Sequence, residues 1–146
     1  MDNKLMTFEN AAFGKIRTLT IDGEPWFVAV DVCRALEIGN PTDAMHRLDA
    51  DERTLVSIEG ASNGLPVNAV NEPGLYTLIL GSRKPEAKAF KRWITHEVIP
   101  AIRKYGGYMT KSLLEQMLEN PNLIYEFARR MLEEQQKNER LRQELD

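Results

Sequence analysis

Four prolines, Pro41, Pro85, Pro100 and Pro121, decide where helices in this chain can begin and where they must break. Proline has a fixed φ and no N–H, so it suits the first turn of a helix and disrupts its interior. Asn40-Pro41 and Asn120-Pro121 each place a side-chain acceptor before such a proline, the signal of a helix N-terminus. Pro85 opens another helix, with Glu86 beside it where the positive end of the macrodipole favours a carboxylate. Pro100 falls inside the helical pattern that Pro85 begins. Without its N–H the carbonyl of His96 loses a partner, so a kink or restart is predicted there, and Gly106-Gly107 ends the helix.

Strand signals fill the gaps. KIRTLTIDGEPWFVAV alternates, with β-branched and aromatic residues on either side of Asp22-Gly23, and predicts a hairpin over 15–21 and 25–29. TLVSIE and LPVNAV, separated by the turn-rich GASNG, predict a second one. In DVCRALEI, Val32, Ala35 and Leu36 lie at helical spacing, and the helix opened by Pro41 is predicted to run through Leu48. Two short helices would thus flank a three-residue turn containing Gly39. Asn71 caps a helix through EPGLYTLILG, with Leu75, Leu78 and Ile79 on one face. The predicted fold class is α+β, with two short antiparallel hairpins packed with about four to five helices.

After the paired glycines the composition turns to Glu, Leu, Gln and Arg, with no further glycine, and predicts a helical arm. Asn120-Pro121 divides it into helices 111–119 and 121–145. Ile124, Phe127, Met131, Glu134, Asn138, Leu141 and Leu145 fall on alternating steps of three and four, a heptad seam with two polar interruptions. A buried Asn in such a seam sets register and strand number. The expected division is a domain over 1–108 and an arm over 109–146. Association of two or more copies through Ile124, Phe127, Met131, Asn138, Leu141 and Leu145 is expected, the alternative being an arm packed on its own domain.

Charge is distributed unevenly over the 146 residues, whose net charge is -3. Residues 83–104 hold seven Lys and Arg against two Glu, while the residues before them are strongly acidic. A local field of this kind, rather than the overall charge, steers a polyanion. On the predicted helix, Phe90, Trp93, Ile94, Val98 and Ile102 fall on one side and Lys84, Lys88, Lys91, Arg92 and Thr95 on the other. Trp93 is assigned to the core. Lysine and arginine offered together along a surface suit phosphates, whose neutralisation releases counterions. The helix pair around Gly39 has the length of a helix-turn-helix, whose second helix would present Thr42, His46 and Arg47 to base edges. Asp43, Asp49, Asp51 and Glu52 would oppose phosphates there.

Other chemistry is poorly supplied. Cys33 is the single cysteine and reads as a small core residue. His96-Glu97 lacks the second His of a zinc-protease helix, because Pro100 stands at that position. Asp49 and Glu52 have no nearby His, Ser or Gly-rich loop to support a reaction. No enzyme activity, metal or cofactor is expected. No run of 18 or more apolar residues occurs, and MDNKLMTFEN lacks the pattern of a signal peptide, so a cytoplasmic protein without membrane contact is expected.

Three blocks, RTLTIDGEPWFVAVDVCRALEI, RLDADER and VNEPGLYTLILGSRKPEAKAFKRWITHEVIPAIRKYGGY, resemble the N-terminal domain of the BRO proteins, the baculovirus repeated open reading frames. That domain is shared by phage and prophage antirepressors. The resemblance spans roughly residues 13–108 and implies a regulatory or DNA-binding domain, joined through a helical connector to a variable C-terminal domain. Phage members release a prophage from repression, often by binding the repressor, and baculoviral members are associated with nucleic acids. Carried onto this sequence, SRKPEAKAFKRW supplies Arg83, Lys84, Lys88, Lys91 and Arg92 for DNA contact. Relative to that pattern the chain ends at Asp146, inside or just after the connector, and a partner-binding role seated in a C-terminal domain is not expected of these residues. The implied function is an antirepressor-type regulator in a bacterial cytoplasm, contacting DNA phosphates and oligomeric through its arm. The alternative is a protein-binding module that inactivates a phage repressor without itself binding DNA.

Overall fold

Asp22 and Gly23 both take positive φ, 52° and 80°, the conformation of a two-residue turn whose twist matches that of the flanking strands. They join β2 (Gly14–Ile21) to β3 (Glu24–Val28), with Ile21 opposite Glu24. The computed structural model describes residues 6–10, 14–58 and 65–145. A strand that the sequence reading does not contain, β1 (Met6–Asn10), pairs antiparallel with the outer side of β2. The second expected hairpin is present as β4 (Arg53–Val56) and β5 (Val67–Asn71), while its GASNG turn lies outside the described residues. The hairpins do not stay separate. β5 pairs antiparallel with β3 and makes one five-stranded sheet of order β1-β2-β3-β5-β4.

Alternation along the strands gives the sheet two apolar faces. Ile16, Phe27 and Val70 point to the face covered by α1 (Ala29–Ala35), α2 (Pro41–His46), α3 (Glu72–Leu80) and α4 (Pro85–Trp93). Those helices bury Val32, Cys33, Ala44, Met45, Leu78 and Ala87 against them, each large aliphatic side chain contributing about 1.5–3 kcal/mol. Leu19, Val28, Val56, Ile58 and Ala69 form a smaller cluster with Trp26 on the opposite face.

The helix starts are the ones the prolines and asparagines announce. The Asn40 side chain accepts from the Asp43 N–H at 3.1 Å, and Asn71 accepts from the Gly74 N–H at 3.1 Å. Gly74 is glycine because α3 starts tightly against the chain beside it: a Cβ there would lie 2.9 Å from the Glu52 carbonyl oxygen. The end of α1 was not legible. Glu37 takes a left-handed φ of 58°, the Ile38 N–H donates to the Cys33 carbonyl at 2.8 Å and the Glu37 N–H to Arg34 at 3.2 Å, a Schellman closure. Leu36–Asn40 therefore separates α1 from α2, a longer turn than expected, and α2 ends at His46 rather than Leu48. Asp49 caps a 3₁₀ turn (Ala50–Glu52), whose Glu52 carboxylate accepts from the Asp49 N–H at 2.9 Å.

Contacts divide the chain into two compact units, Met1–Glu97 and Val98–Asp146, a boundary ahead of the compositional change at 108/109. After α4 the backbone takes a wider π-helical turn over Ile94–Val98, and α-helical bonding resumes in α5 (Ile99–Tyr105), one residue before Pro100. This is the predicted restart. Ile102, expected on the apolar side, is half exposed. Gly106, with φ 85°, ends α5. In the second unit α6 (Lys111–Glu119) packs against α7 (Pro121–Leu145), both with the predicted limits. Among the described residues no helix is long and apolar enough to cross a membrane.

Candidate nucleic-acid interface

Lys88, Lys91 and Arg92 lie at helical spacing on α4, and all three are exposed. Arg83, just before the helix, is exposed as well. Among the described residues none of these four forms an ion pair, whereas Arg129 on α7 is held by Glu126 at 3.0 Å and Glu133 at 2.8 Å. The strip thus presents cations whose charge is not already neutralised by a neighbour. It continues at the π turn through Thr95, whose hydroxyl donates to the Lys91 carbonyl at 3.0 Å, and His96, whose Nδ1 lies 3.0 Å from the Arg92 carbonyl oxygen. These side chains serve carbonyls in the last turn of α4, where the wider turn alters the regular ladder.

Lys84 has a different place. Its Nζ donates to the Ala35 carbonyl at 2.8 Å, at the C-terminal end of α1, and it is only partly exposed. Beside it the Ser82 hydroxyl, buried, donates to the Leu36 carbonyl at 2.9 Å and accepts from the Lys84 N–H at 3.2 Å. The segment before α4 is therefore a clasp on the end of α1, where a cation also meets the negative end of the helix dipole. The grouping of Lys84 with the solvent-facing lysines is corrected accordingly. No spacing rule reveals this contact, which joins residues 49 positions apart.

On α2 the side chains of Thr42, His46 and Arg47 are exposed, while Ala44, Met45 and Leu48 turn inward. The outward face of the helix pair is thus the one that carries the candidate base contacts. The Arg47 guanidinium reaches the link between α3 and α4, where a methyl at Gly81 would lie 3.7 Å from Nη1. Arg47 thus approaches the segment that leads to Arg83, although the two are far apart in sequence. Asp43, Asp49 and Asp51 are exposed around the same helix and give it a mixed potential.

Two features of this region have no counterpart in the sequence reading. Trp93, assigned to the core, is 39% exposed and stands at the end of an aromatic row: Tyr76 stacks on Phe90 with ring centroids 6.2 Å apart, and Phe90 meets Trp93 at 5.8 Å. The Tyr76 hydroxyl donates to Glu72, which with partial burial leaves the phenol pushed up to about 12. The other is Asp31, 2% exposed at the start of α1. It accepts from Arg17 Nε at 2.8 Å, Arg17 Nη2 at 3.0 Å, the Arg17 N–H at 2.9 Å and Arg34 Nη2 at 3.2 Å. Burial works against this carboxylate, but the Arg17 hydrogen bonds and the two guanidinium charges outweigh it and hold the carboxyl below the usual aspartate range. Arg17 and Arg34 are thereby engaged in the fold.

Cys33 is fully buried, and burial pushes its thiol up despite the charge of Arg47. Among the described residues no three His, Cys, Asp or Glu side chains gather as a metal site requires. On α7 the seam residues Ile124, Met131, Asn138, Leu141 and Leu145 are exposed and Phe127 is half-buried. Phe127 and Met131 also line an apolar groove within the second unit, together with Tyr105, Tyr108 and Leu114.

The chain matches the BRO family, N-terminal domain, over residues 15–100, more than half its length. It is 38% identical over 89 residues to an uncharacterized protein of Haemophilus influenzae, covering 59% of this chain and 43% of that one. It is 29% identical over 119 residues to a Bro-N domain-containing protein, 019R, of Invertebrate iridescent virus 3, covering 66% of this chain and 29% of the viral one. A Bro-N domain-containing protein of Acanthamoeba polyphaga mimivirus, L2, is 25% identical over 149 residues, or 90% of this chain and 60% of its own. The chain thus spans less than two thirds of each of these relatives. No solved structure matches it. The three ordered blocks of sequence, the sheet they build and the family match lead to one conclusion: this chain belongs to the BRO family, through its N-terminal domain.

Proposed function

We propose that this chain is a regulatory protein of the antirepressor type that binds DNA through the exposed strip of α4 and associates with further copies of itself through α7. The observation that carries the DNA reading is the set Arg83, Lys88, Lys91 and Arg92, exposed and without ion pairs among the described residues. Cations in that condition release counterions from a polyanion, and they do so independently of its sequence. Thr42 and His46 on α2, with Arg47 just after it, are the proposed base-edge contacts. The role is a binding one, with no catalytic step assigned to any residue, no cofactor and no membrane partner.

Fluorescence anisotropy with a labelled DNA duplex, titrated at several salt concentrations, tests the reading. The chain is expected to bind with an affinity that falls steeply as salt rises. Charge reversal at two phosphate contacts, Lys88→Glu with Arg92→Glu, is expected to weaken binding and to flatten the log–log salt slope by about 2. An unchanged slope in that double variant removes the basic strip from the mechanism.

A second reading rests on the exposed carboxylates of Asp43, Asp49 and Asp51 around α2, which meet phosphates unfavourably and suit a protein partner. In it the chain inactivates a repressor protein without touching DNA. A stoichiometric complex with a repressor that survives nuclease treatment, together with no binding of duplex at low salt, selects this reading.

A further inference from the structure

The side of α3 and α4 turned away from the basic strip carries a different chemistry. Tyr76 is 42% exposed and Leu80 40%, Trp93 is likewise open to solvent, and half-buried Phe90 joins Tyr76 to Trp93 in one aromatic row. Tyr76 and Leu80 thus leave apolar surface in water on a domain whose two cores are filled. Carboxylates border the row at both helices. Glu72 holds the Tyr76 hydroxyl, and Glu86 lies one helical turn before Phe90 on the same face of α4. Both are exposed, and among the described residues neither forms an ion pair.

From this arrangement we infer that Tyr76, backed by Phe90, is the centre of a docking surface for a cationic peptide segment of a partner protein, one that lays an Arg or Lys side chain over the open side of the Tyr76 ring and against Glu72 and Glu86. The ring faces attract a guanidinium or ammonium group through their quadrupoles, and the adjacent carboxylates supply the charge that orients it. The cationic strip on the other flank of α4 repels the same segment, so the partner is restricted to the α3 side. α4 thus separates two surfaces of opposite preference. Because phosphates are assigned to one and a basic segment to the other, this inference stands whether or not the chain binds DNA.

The probe is a fluorescein-labelled nona-arginine peptide, followed by anisotropy at moderate salt, with nona-glutamate as the control. Binding of the arginine peptide alone is expected, weakened at least fivefold by Tyr76→Ala and by Glu72→Gln with Glu86→Gln. The pair Glu139→Gln with Glu144→Gln removes the same charge on α7, from exposed residues without ion pairs among the described residues, and is expected to leave binding within twofold. The carboxamide variants leave the core untouched, which guards the test against a Tyr76 variant that fails to fold. Equal weakening by both neutralising pairs means attraction to net charge only and overturns the inference, as does absence of binding. Displacement of the peptide by oligothymidylate, with loss of that displacement in Tyr76→Ala, assigns the row to base stacking instead and overturns it too.

Discussion

Asp31 concentrates the electrostatics of the first unit on one carboxylate, almost without solvent, between two guanidinium groups. Removing its charge leaves Arg17 with an unmatched fork in a half-buried site, so Asp31→Asn is expected to destabilise the fold by about 2–4 kcal/mol, measured by urea unfolding. The pH dependence is set by the direction of the shift. The folded carboxyl titrates below its unfolded value, so its stabilisation is complete above about pH 4 and is lost as pH falls from there through the folded value. The acid limb of the wild-type stability curve is expected to flatten in Asp31→Asn, and a parallel curve refutes the assignment. Glu37 makes the opposite case. A side chain held at φ 58° carries the strain of a left-handed residue, which glycine lacks, and Glu37→Gly is expected to raise stability by about 0.5–1 kcal/mol despite the freedom it adds to the unfolded chain. A lowered unfolding midpoint would show that Glu37 makes a contact stronger than that strain.

At the scale of elements, the features legible in the sequence are the local ones. Caps place the starts of α2, α3, α6 and α7, where a side chain two or three residues away satisfies an orphan N–H group, and Pro85 marks the start of α4, which has no side-chain cap. The exposed face of α4 is legible in the same way, from the spacing of Lys88, Lys91 and Arg92. Features that were not legible depend on partners far along the chain. β1 is a strand because β2 offers it an edge, and MTFEN alone is too short to announce one. The two hairpins are one sheet because β5 finds β3. Trp93 leaves the core because the π turn and the packing of Phe90 on Tyr76 orient the end of α4. Lys84 is the sharpest instance, since charge alone groups it with the strip and the structure ties it to α1. Lys84→Met keeps the stem and removes the hydrogen bond to Ala35, and is expected to cost about 1–2 kcal/mol in unfolding. DNA binding by the folded variant is expected to keep the wild-type salt slope, in contrast to Lys88→Glu with Arg92→Glu. A slope that falls by about 1 would return Lys84 to the phosphate contacts.

For the whole molecule, the proposed association of copies would rest on α7. A helix of 25 residues extends about 37 Å, and in a single chain it buries no side chain of its own. Ile124, Met131, Leu141 and Leu145 are left in water along one seam, an arrangement that isolated helices do not sustain on propensity alone. In the proposed assembly a second copy would supply the missing side of that seam, with Asn138 available to fix the register. Such an assembly would also bear on affinity: two basic strips on one particle would engage one duplex at high effective concentration, so that modest contacts by each α4 would add to a useful complex. Deleting residues 121–146 is therefore expected to lower the mass measured by light scattering from a multiple of the chain to a single copy. In the full chain, Met131→Glu with Leu141→Glu is expected to do the same without shortening the arm, and both changes are expected to weaken duplex binding by more than about tenfold. Equal masses for the complete and shortened chains would place any association elsewhere, and the arm would then have to find its cover within the chain.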